Sequence, residues 1–370
     1  MTMKIKCQRT AMLSAFQAAV DAVPSRTTKP ILQNVKLIAS VSETILMGTD
    51  HEIGVRVNLA ECEVDSPGAV LLPASRVMSI LRELRGESVT IAESGRDVKI
   101  FADSAKYSLS TENPDEFPEV AAFDEKDYFT VQAGVLKKML HCTAFSCALT
   151  ESRIALLGVL IEVHGDEMTL AATDTKRMSV ISGKCGIVGS PEVISRTPVI
   201  PKKAASLIEH VLDDESQVFL SVKGNGVIVK CGGTTVYTRL LEGVFPQFRK
   251  VIPDGVASTV SLIAGPLLSA IRQAQVVTTE ERRAVEFRFT PGLLSLSSEG
   301  EQVGNSEIEL PVAYDGKDEA VTLNPQYVAE FLKTIGAEQQ TQLEIRGESP
   351  VIFRADGGYL YVVMPMGEVP

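Results

Sequence analysis

The chain has 370 residues, of which 45% are hydrophobic and 22% charged, and its formal net charge is −11 at pH 7. This composition is typical of a globular protein, and the length suits two or three domains of the commonest size. No stretch approaches the roughly 20 apolar residues of a membrane-spanning helix, and the first residues lack the apolar core of a secretory signal. We therefore expect a cytoplasmic protein without a membrane partner. Taken alone, the negative charge also argues against nucleic acid as a partner.

Apolar residues at helical spacing predict six helices, at residues 11–23, 74–85, 134–148, 202–212, 265–277 and 325–335. The second, fourth and sixth follow similar blocks, which read VLLPA, VIPKK and VTLNP. The first apolar residues of these three helices are Val77, Ala204 and Val328, at intervals of 127 and 124 residues. A period of this length is a whole domain and not a solenoid unit.

Other landmarks recur at nearly the same interval. Thr49-Asp50 returns as Thr173-Asp174, and Phe117-Pro118 returns as Phe245-Pro246. Strand-like runs of alternating or β-branched residues follow the helices in each third. We therefore predict an α+β protein of three tandem similar domains, each built from two βαβββ halves, at residues 1–125, 126–254 and 255–370.

Charge is divided between the helices and the rest of the chain. The predicted helices contain nine Lys or Arg and four Asp or Glu, so they sum to +5 and leave −16 elsewhere. Arg82, Arg272 and Lys333 each lie five residues after the first member of an apolar i, i+3, i+4, i+7 set, which directs them away from the core. Outward bases on a single helix usually only solvate it, but this division between elements indicates a basic surface. Glu209 and His141 occupy equivalent positions and depart from the pattern.

No motif indicates a cofactor or a metal. Residues 224–226 (GNG) lack the third glycine of a dinucleotide-binding fingerprint, and no phosphate-binding loop is present. The four histidines have no paired-ligand spacing. The six cysteines never form CxxC and are interpreted as small buried hydrophobic residues.

Residues 173–177 (TDTKR) contain the side chains of a catalytic cluster, because a lysine lowers the pKa of a neighbouring carboxyl group. Thr49-Asp50 occupies the matching place without Lys-Arg, however, so a turn cap at the end of a strand is the preferred interpretation. Two alternatives remain for the function of the chain. One is a hydrolase that uses Asp174 and Lys176, and the other is a three-domain scaffold that binds peptides.

Three runs resemble the bacterial DNA sliding clamp family, the beta subunits of the replicative DNA polymerase III. They are ATDTKRMSV at 172–180, LEGVFPQFRKVIP at 241–253 and YVVMPM at 361–366, of which VMPM is the most specific. The resemblance extends over essentially the whole chain. It implies three clamp domains per chain and a head-to-tail homodimer that forms a six-domain ring. It also implies a non-enzymatic processivity factor that encircles double-stranded DNA of any sequence and tethers the polymerase.

The resemblance gives the basic helices a role, because positive side chains around a hole attract phosphates without reading bases. The implied DNA-facing residues are Arg26, Arg82, Lys137, Lys138, Lys202, Lys203, Arg272 and Lys333. The implied dimer seam joins Tyr107 and Leu109 to Val276 and Val277, with Arg76 and Lys106 facing Glu299 and Glu301.

The resemblance also implies an apolar cleft between the second and third domains. It would bind short peptide motifs of the replicative polymerase, the clamp loader and other partners. Its residues by motif position are Leu156, Thr173, Thr175, Arg177, Met178, Pro246, Val251, Val362, Val363, Met364, Pro365 and Met366, with Lys176 and Lys250 at the rim. The alternative interpretation is that these residues only close the core between the two domains.

Overall fold

The computed structural model describes residues 3–124, 126–150, 153–191, 198–253, 255, 258–279, 283–300, 303–347 and 349–367. Within these residues the chain runs through three successive repeats of the same element order. The repeats are mixed helix and sheet, which confirms the predicted α+β class and the three tandem similar domains. No helix in the described ranges is long and apolar enough to cross a membrane.

The first repeat contains two helices and nine strands among its described residues. Its elements are β1 (Lys4–Gln8), α1 (Arg9–Val20), β2 (Asn34–Ala39), β3 (Thr44–Thr49), β4 (Ile53–Asn58), β5 (Cys62–Ser66), β6 (Gly68–Pro73), α2 (Ala74–Glu83), β7 (Ser88–Ser94), β8 (Asp97–Ala102) and β9 (Ala105–Ser110).

The second repeat follows the same order. Its elements are β10 (Tyr128–Gln132), α3 (Ala133–Ala144), β11 (Gly158–His164), β12 (Glu167–Thr173), β13 (Arg177–Lys184), β14 (Gly186–Val188), β15 (Val199–Pro201), α4 (Lys202–Val211), β16 (Gln217–Lys223), β17 (Gly226–Cys231) and β18 (Thr234–Arg239).

The third repeat consists of two βαβββ halves, as predicted. Its elements are β19 (Ser258–Ile263), α5 (Ala264–Ala274), β20 (Val285–Thr290), β21 (Leu293–Gly300), β22 (Gly304–Pro311), β23 (Glu319–Leu323), α6 (Pro325–Ile335), β24 (Gln340–Ile345), β25 (Val351–Ala355) and β26 (Tyr359–Val363). The first two repeats add one short strand each. These strands, β5 and β14, pair with β1 and β10, the strands that begin their repeats.

The helices lie where the apolar spacing predicted them, but several end earlier. The predicted helix 134–148 stops at Ala144, because the amides of Ser146 and Cys147 turn back to carbonyls only three residues earlier. The predicted helix 265–277 likewise changes to a 3₁₀ turn at Gln275–Val277. Such tightened last turns are common at helix ends.

The chain divides into two compact units. The first contains residues 1–134, 185–192 and 206–240, and the second contains residues 135–184, 193–205 and 241–370. The first unit holds a five-stranded sheet, β5-β1-β7-β8-β9, and a nine-stranded sheet, β14-β10-β16-β17-β18-β4-β3-β2-β6. The second holds an eight-stranded sheet, β15-β11-β12-β13-β26-β25-β24-β19, and a four-stranded sheet, β22-β21-β20-β23. The named strands pair antiparallel throughout.

Each of the two large sheets joins strands of two repeats. In the first unit β18 pairs with β4, from Thr234 opposite Val57 to Thr238 opposite Ile53. In the second unit β26 pairs with β13, from Arg177 opposite Val363 to Val180 opposite Leu360. In both cases the last strand of one repeat pairs with the third strand that follows the first helix of the preceding repeat. One type of strand pairing therefore links successive repeats.

The helices bury their apolar faces. Val77 and Leu81 of α2 are fully buried, as are Val328, Phe331 and Leu332 of α6, whereas Arg82, Arg272 and Lys333 are exposed. The predicted outward direction of these three bases is confirmed. Helix α1 packs closely on β3, where Gly48 leaves room for the carbonyl of Ala19.

We predict that Gly48→Ala destabilises the first unit by about 1–3 kcal/mol, since overpacking a tight site forces the backbone apart. A Cβ atom at Gly48 would lie 2.0 Å from the Ala19 oxygen. Thermal unfolding followed by circular dichroism should show a lower melting temperature. The matched control is Gly233→Ala, whose Cβ would lie 3.4 Å from the Asn58 oxygen and should change little. Equal melting temperatures for the two variants would contradict the prediction.

Candidate functional site

Two turns of identical hydrogen bonding occupy matching positions in the first two repeats. At the end of β12, Thr173 Oγ1 bonds the carbonyl of Arg177 at 2.6 Å, and Asp174 Oδ1 accepts the amides of Lys176 and Arg177 at 3.0 Å. At the end of β3, Thr49 Oγ1 bonds the Ile53 carbonyl at 2.8 Å, and Asp50 Oδ1 accepts the two corresponding amides. The third residue of each turn, Thr175 or His51, has a positive φ near 75°. The Thr-Asp turn cap is therefore confirmed.

Both oxygens of the Asp174 carboxylate are occupied by hydrogen bonds of the turn. Its Oδ1 atom is held by two backbone amides, and its Oδ2 atom accepts Arg177 Nε at 3.0 Å. The Lys176 side chain is exposed at the tip of the turn. A carboxylate with both oxygens engaged in a turn and an ion pair is poorly placed to act as a general base. The residues that suggested a hydrolase thus build the turn.

Arg177 is the most heavily bonded side chain of this region. It is 8% exposed, and besides Asp174 its guanidinium pairs with Glu330 on α6 and donates to the Phe145 carbonyl at 3.1 Å. Its Cζ atom lies 4.5 Å from the ring centroid of Tyr327, a cation–π contact. Burial alone would lower the pKa of Arg177, but the neighbouring Tyr361 hydroxyl and Glu330 carboxylate outweigh burial and raise it. The guanidinium therefore stays charged and holds strand and helix together.

A cavity of about 160 Å³ opens beside this turn. It is lined by Arg153, Thr173, Thr175, Arg177, Met178, Pro246, Phe248, Val251, Val362 and Met364. Two apolar side chains at its mouth are unusually exposed, Val251 at 42% and Met364 at 39%. Exposed apolar side chains grouped at a cavity are typical of a binding site for an apolar ligand group.

The floor of the cavity is a packed core. Met178 and Val362 are buried in one cluster with Phe245 and Phe248, whose rings meet edge to face with centroids 6.3 Å apart. The register of β13 against β26 places Met178 directly opposite Val362. Strand pairing thus fixes the floor, while the segment from Pro246 to Val251 supplies a wall. This wall includes the 3₁₀ turn Phe248–Val251 and lies outside the strands.

Eight of the predicted cleft residues line this cavity. Of the other six, Leu156 and Val363 are fully buried, Pro365 and Met366 are half-buried, and Lys176 and Lys250 are exposed. The sequence reasoning missed Arg153 and Phe248. Phe248 belongs to the motif at 241–253, but its place in the cavity depends on the path of the chain, which no local pattern predicts.

The predicted DNA-facing residues lie on accessible surface. Arg26, Arg82, Lys138, Lys203, Arg272 and Lys333 are exposed, and Lys137 and Lys202 are half-buried. Some are oriented by neighbours: Arg82 Nη2 donates to Gln17 Oε1 at 2.7 Å, and Lys138 Nζ donates to the Asp356 carbonyl at 3.4 Å. Arg9 is an additional base on α1, but its guanidinium bonds the carbonyls of Leu81 and Gly86 at the C-terminal end of α2. Arg9 therefore stabilises a helix end.

The predicted seam residues lie on or near two strands at sheet edges. Tyr107 and Leu109 project from β9 and are half-buried, while Lys106 on the same strand and Arg76 are exposed. Val276 is 75% exposed beside the half-buried Val277, and Glu299 is exposed. Glu301 lies outside the described residues. Among the strands that the structure describes, β9 pairs only with β8, and β22 pairs only with β21.

Comparison between repeats identifies what these two edges have in common. Strand β9 ends the first repeat as β18 and β26 end the second and third. Strand β22 is the third strand after the helix α5, as β4 and β13 are after α1 and α3. The equivalent strands β4, β13, β18 and β26 each have a neighbouring strand on both sides, and β4 and β26 are mostly buried. Strands β9 and β22 instead alternate between exposed and half-buried residues along most of their length. Strand β22 and its half-buried residues Ile308 and Leu310 were not predicted from the sequence. These two residues alternate with glutamates, a pattern that is also typical of a solvent-exposed segment.

Within the residues that the structure describes, no group of three or more His, Cys, Asp or Glu side chains is arranged to hold a metal ion.

Comparison with known proteins assigns all three repeats. Family models described as the N-terminal, central and C-terminal domains of the DNA polymerase III beta subunit match residues 3–121, 130–247 and 249–367. The chain is 28% identical to the beta sliding clamp of Chlamydia muridarum, over 98% of this chain and 99% of that protein. It is 26% identical to the beta sliding clamp of Escherichia coli K12, over 98% and 100%.

The fold is also that of a solved relative. A crystal structure of the DNA polymerase III subunit beta from Pseudomonas aeruginosa, bound to griselimycin, superposes with a TM-score of 0.92. The alignment has 24% identity and covers 99% of this chain and 100% of that one. At this identity the superposition shows the shared fold.

We predict that Arg177→Met weakens the second unit locally by about 2–3 kcal/mol, because two neighbouring carboxylates, Asp174 and Glu330, would lose their shared cation. Native-state hydrogen exchange of the β13 and α6 amides measures this loss. The control is Lys184→Met, which removes an exposed ion pair with Asp166 at the other end of β13. Exposed pairs contribute little. The prediction fails if the control accelerates exchange as much as Arg177→Met does.

Proposed function

Because this chain belongs to the family of DNA polymerase III beta subunits, the bacterial sliding clamps, we propose that it is a DNA polymerase processivity factor. In this proposal two copies form a ring around double-stranded DNA and tether the replicative polymerase to it. The role is structural and requires no catalysis. The proposal keeps the three domains predicted at 1–125, 126–254 and 255–370.

The observation that carries the proposal is the recurrence of one strand pairing. In this pairing, the last strand of one repeat lies beside the third strand after the first helix of the preceding repeat. It occurs twice, as β18–β4 and as β26–β13. The remaining last strand, β9, and the remaining third strand, β22, have no such neighbour among the described strands. Pairing β9 of one copy with β22 of another uses both edges and repeats the contact already made twice. Two copies related by a two-fold axis close such an arrangement with six repeats.

The chemistry of the two edges is complementary. The half-buried face of β9 carries Tyr107 and Leu109, and that of β22 carries Ile308 and Leu310. Their exposed faces differ in charge, with Lys106 on β9 and two glutamates, Glu307 and Glu309, on β22. Exposed ion pairs contribute at most about 1 kcal/mol each, so the apolar face supplies most of the stability and the charges orient the strands. The proposed seam also includes Arg76, Val276, Val277, Glu299 and Glu301.

The exposed bases of the helices suit binding to a phosphate backbone. Lysine and arginine attract phosphates through charge and counterion release, whatever the sequence. The proposed contacts are Arg26, Arg82, Lys137, Lys138, Lys202, Lys203, Arg272 and Lys333. Contacts limited to phosphates position a duplex without fixing its register, so a ring can slide.

The cavity beside Thr173–Arg177 is the proposed site for partner peptides. A short segment that inserts apolar side chains would cover Val251 and Met364, and a flexible methionine adapts to different ligands. The replicative polymerase, the clamp loader and other proteins with a clamp-binding motif would compete for it. Tethering raises the effective concentration of a partner at its template, so a modest affinity for the peptide is sufficient.

We predict that Leu109→Asp converts the dimer into a monomer, because a carboxylate would be buried in the proposed apolar seam. Analytical ultracentrifugation should report half the mass of the unchanged protein.

A second measurement follows retention on DNA. After loading by the clamp loader, the unchanged protein should stay on nicked circular DNA and slide off when the circle is cut, whereas Leu109→Asp should not be retained. The control is Val188→Asp on β14, an edge strand outside the proposed seam. Equal retention on circular and linear DNA would contradict the ring.

We predict that Val251→Asp weakens peptide binding roughly 10–100-fold, the loss expected when one buried aliphatic contact of about 1.5–3 kcal/mol is replaced by a charge. Fluorescence polarisation with a labelled peptide that contains a glutamine and terminal aliphatic residues measures the affinity. Val188→Asp again serves as control, because Val188 is 39% exposed, close to the 42% of Val251. Unchanged affinity of Val251→Asp would place the peptide elsewhere.

A further inference from the structure

Two cysteines face each other across a pair of antiparallel strands in the first unit. Cys7 on β1 lies directly opposite Cys62 on β5. Directly opposed residues in such a pair have Cα atoms about 4.5 or 5.5 Å apart, with side chains on the same face. Disulfides span Cα separations of about 4.4–6.8 Å. Cys7 and Cys62 therefore lie close enough for a disulfide, whether they form a hydrogen-bonded or a non-hydrogen-bonded pair of the two strands.

The two thiols differ in their exposure to solvent. Cys7 is 4% exposed, whereas Cys62 is half-buried. Strand β5 is an edge strand, and β1 is its one neighbour among the described strands. A small reagent can therefore reach the Cys62 thiol from the open edge, whereas the Cys7 thiol is buried next to it. The sequence interpretation of all six cysteines as buried hydrophobic residues is wrong for Cys62, because the edge position leaves its side chain partly open.

We propose that Cys7 and Cys62 form a reversible oxidation site, at which a hydroperoxide converts the two thiols into an intramolecular disulfide. Cys62 is the residue attacked first, and Cys7 resolves the intermediate. This site is independent of the cavity, the basic helices and the seam strands, and it does not rest on the proposed function.

The reaction balances with hydrogen peroxide as the oxidant. The Cys62 sulfur attacks one peroxide oxygen, the O–O bond breaks, and a sulfenic acid and one water form. The Cys7 sulfur then attacks the Cys62 sulfur, the S–O bond breaks, an S–S bond forms and a second water leaves. Both sulfurs are oxidised by one electron each, and both peroxide oxygens are reduced to water.

The surroundings of the two thiols support this order. The neighbouring Cys7 thiol lowers the pKa of Cys62 to about 7, with burial acting against it and Thr44 assisting. The neighbouring Cys62 and then burial raise the pKa of Cys7, whose thiol donates to the Val89 carbonyl at 3.9 Å. The thiolate is the nucleophile in cysteine oxidation, so Cys62 is the more reactive of the two. By contrast, burial raises the pKa of Cys147 to about 12, which makes that thiol a suitable unreactive control.

The disulfide would change the edge of the sheet. It would fasten β5 covalently to β1 and close a loop that contains α1 and β2 to β4. Closing a loop of this length restricts the unfolded chain and so stabilises the fold. This loop includes β4, which pairs with β18 of the second repeat. The disulfide would therefore stabilise the strands through which the first and second repeats are joined.

The test treats the full-length, reduced chain with a small excess of hydrogen peroxide, then blocks the remaining thiols and maps the peptides by mass spectrometry. We expect four of the six thiols to remain, a peptide pair linked through Cys7 and Cys62, and recovery of all six thiols after dithiothreitol. The oxidised chain should melt at a temperature several degrees higher than the reduced chain. Cys62→Ser should form no link and show no rise, whereas Cys147→Ala should behave as the unchanged protein.

Three outcomes would overturn the proposal. One is retention of all six thiols by the unchanged protein under conditions that oxidise free cysteine. Another is oxidation of Cys62 to a sulfinic or sulfonic acid with Cys7 left as a thiol. The last is a link between Cys62 residues of two chains. Because the peptide map is made on the unchanged protein, the result does not depend on whether a variant folds.

Discussion

Unpaired strand edges are the constraint on which this structure depends. The backbone amides and carbonyls of an edge strand must be paired or hydrated, and an apolar edge that stays open invites association with another chain. The four sheets formed by the described residues each have two edges, and the pairings β18–β4 and β26–β13 turn what would be four further edges into sheet interiors. The proposed seam and the proposed closure of a ring both follow from the same strand contact.

The candidate cleft lies on one of these pairings. Strand β13 pairs with β26, carries Met178 in the cavity floor, and begins with Arg177. The turn that leads into β13 has a counterpart in the first repeat, where Ile53 occupies the position of Arg177. An apolar residue there only fills space, whereas an arginine recruits a carboxylate from α6 and the ring of Tyr327. One residue difference between two turns of the same geometry thus ties the cleft wall to the helix of the next repeat.

Local patterns predicted much of the fold. Helical spacing located α2, α4 and α6 with their buried and outward residues, and the recurrence of Thr-Asp and Phe-Pro identified the repeats. What the sequence did not reveal depends on contacts between distant residues. Arg177 and Glu330 are 153 positions apart, and no periodicity relates them. The short strands β5 and β14 were not predicted, because three to five residues contain too little alternation to be distinguished from a loop. Phe248 and Arg153 join the cavity only through the path of the chain around it.

The charge distribution resolves an apparent contradiction between a net charge of −11 and a role on DNA. Exposed charges interact over about a Debye length, roughly 8–10 Å at physiological ionic strength, so a phosphate responds to the side chains nearest to it and hardly to the total. The six helices contain nine Lys or Arg and three Glu, and Arg82, Arg272 and Lys333 are exposed on the face opposite the core, while strands such as β22 expose glutamates. A helix holds its outward side chains at fixed spacing, so it presents positive charge as a surface rather than as isolated points. Acidic strands, in turn, disfavour DNA wherever it approaches a sheet face. In the proposed role on DNA, the charges nearest to each phosphate therefore decide where a duplex binds, and the net charge does not.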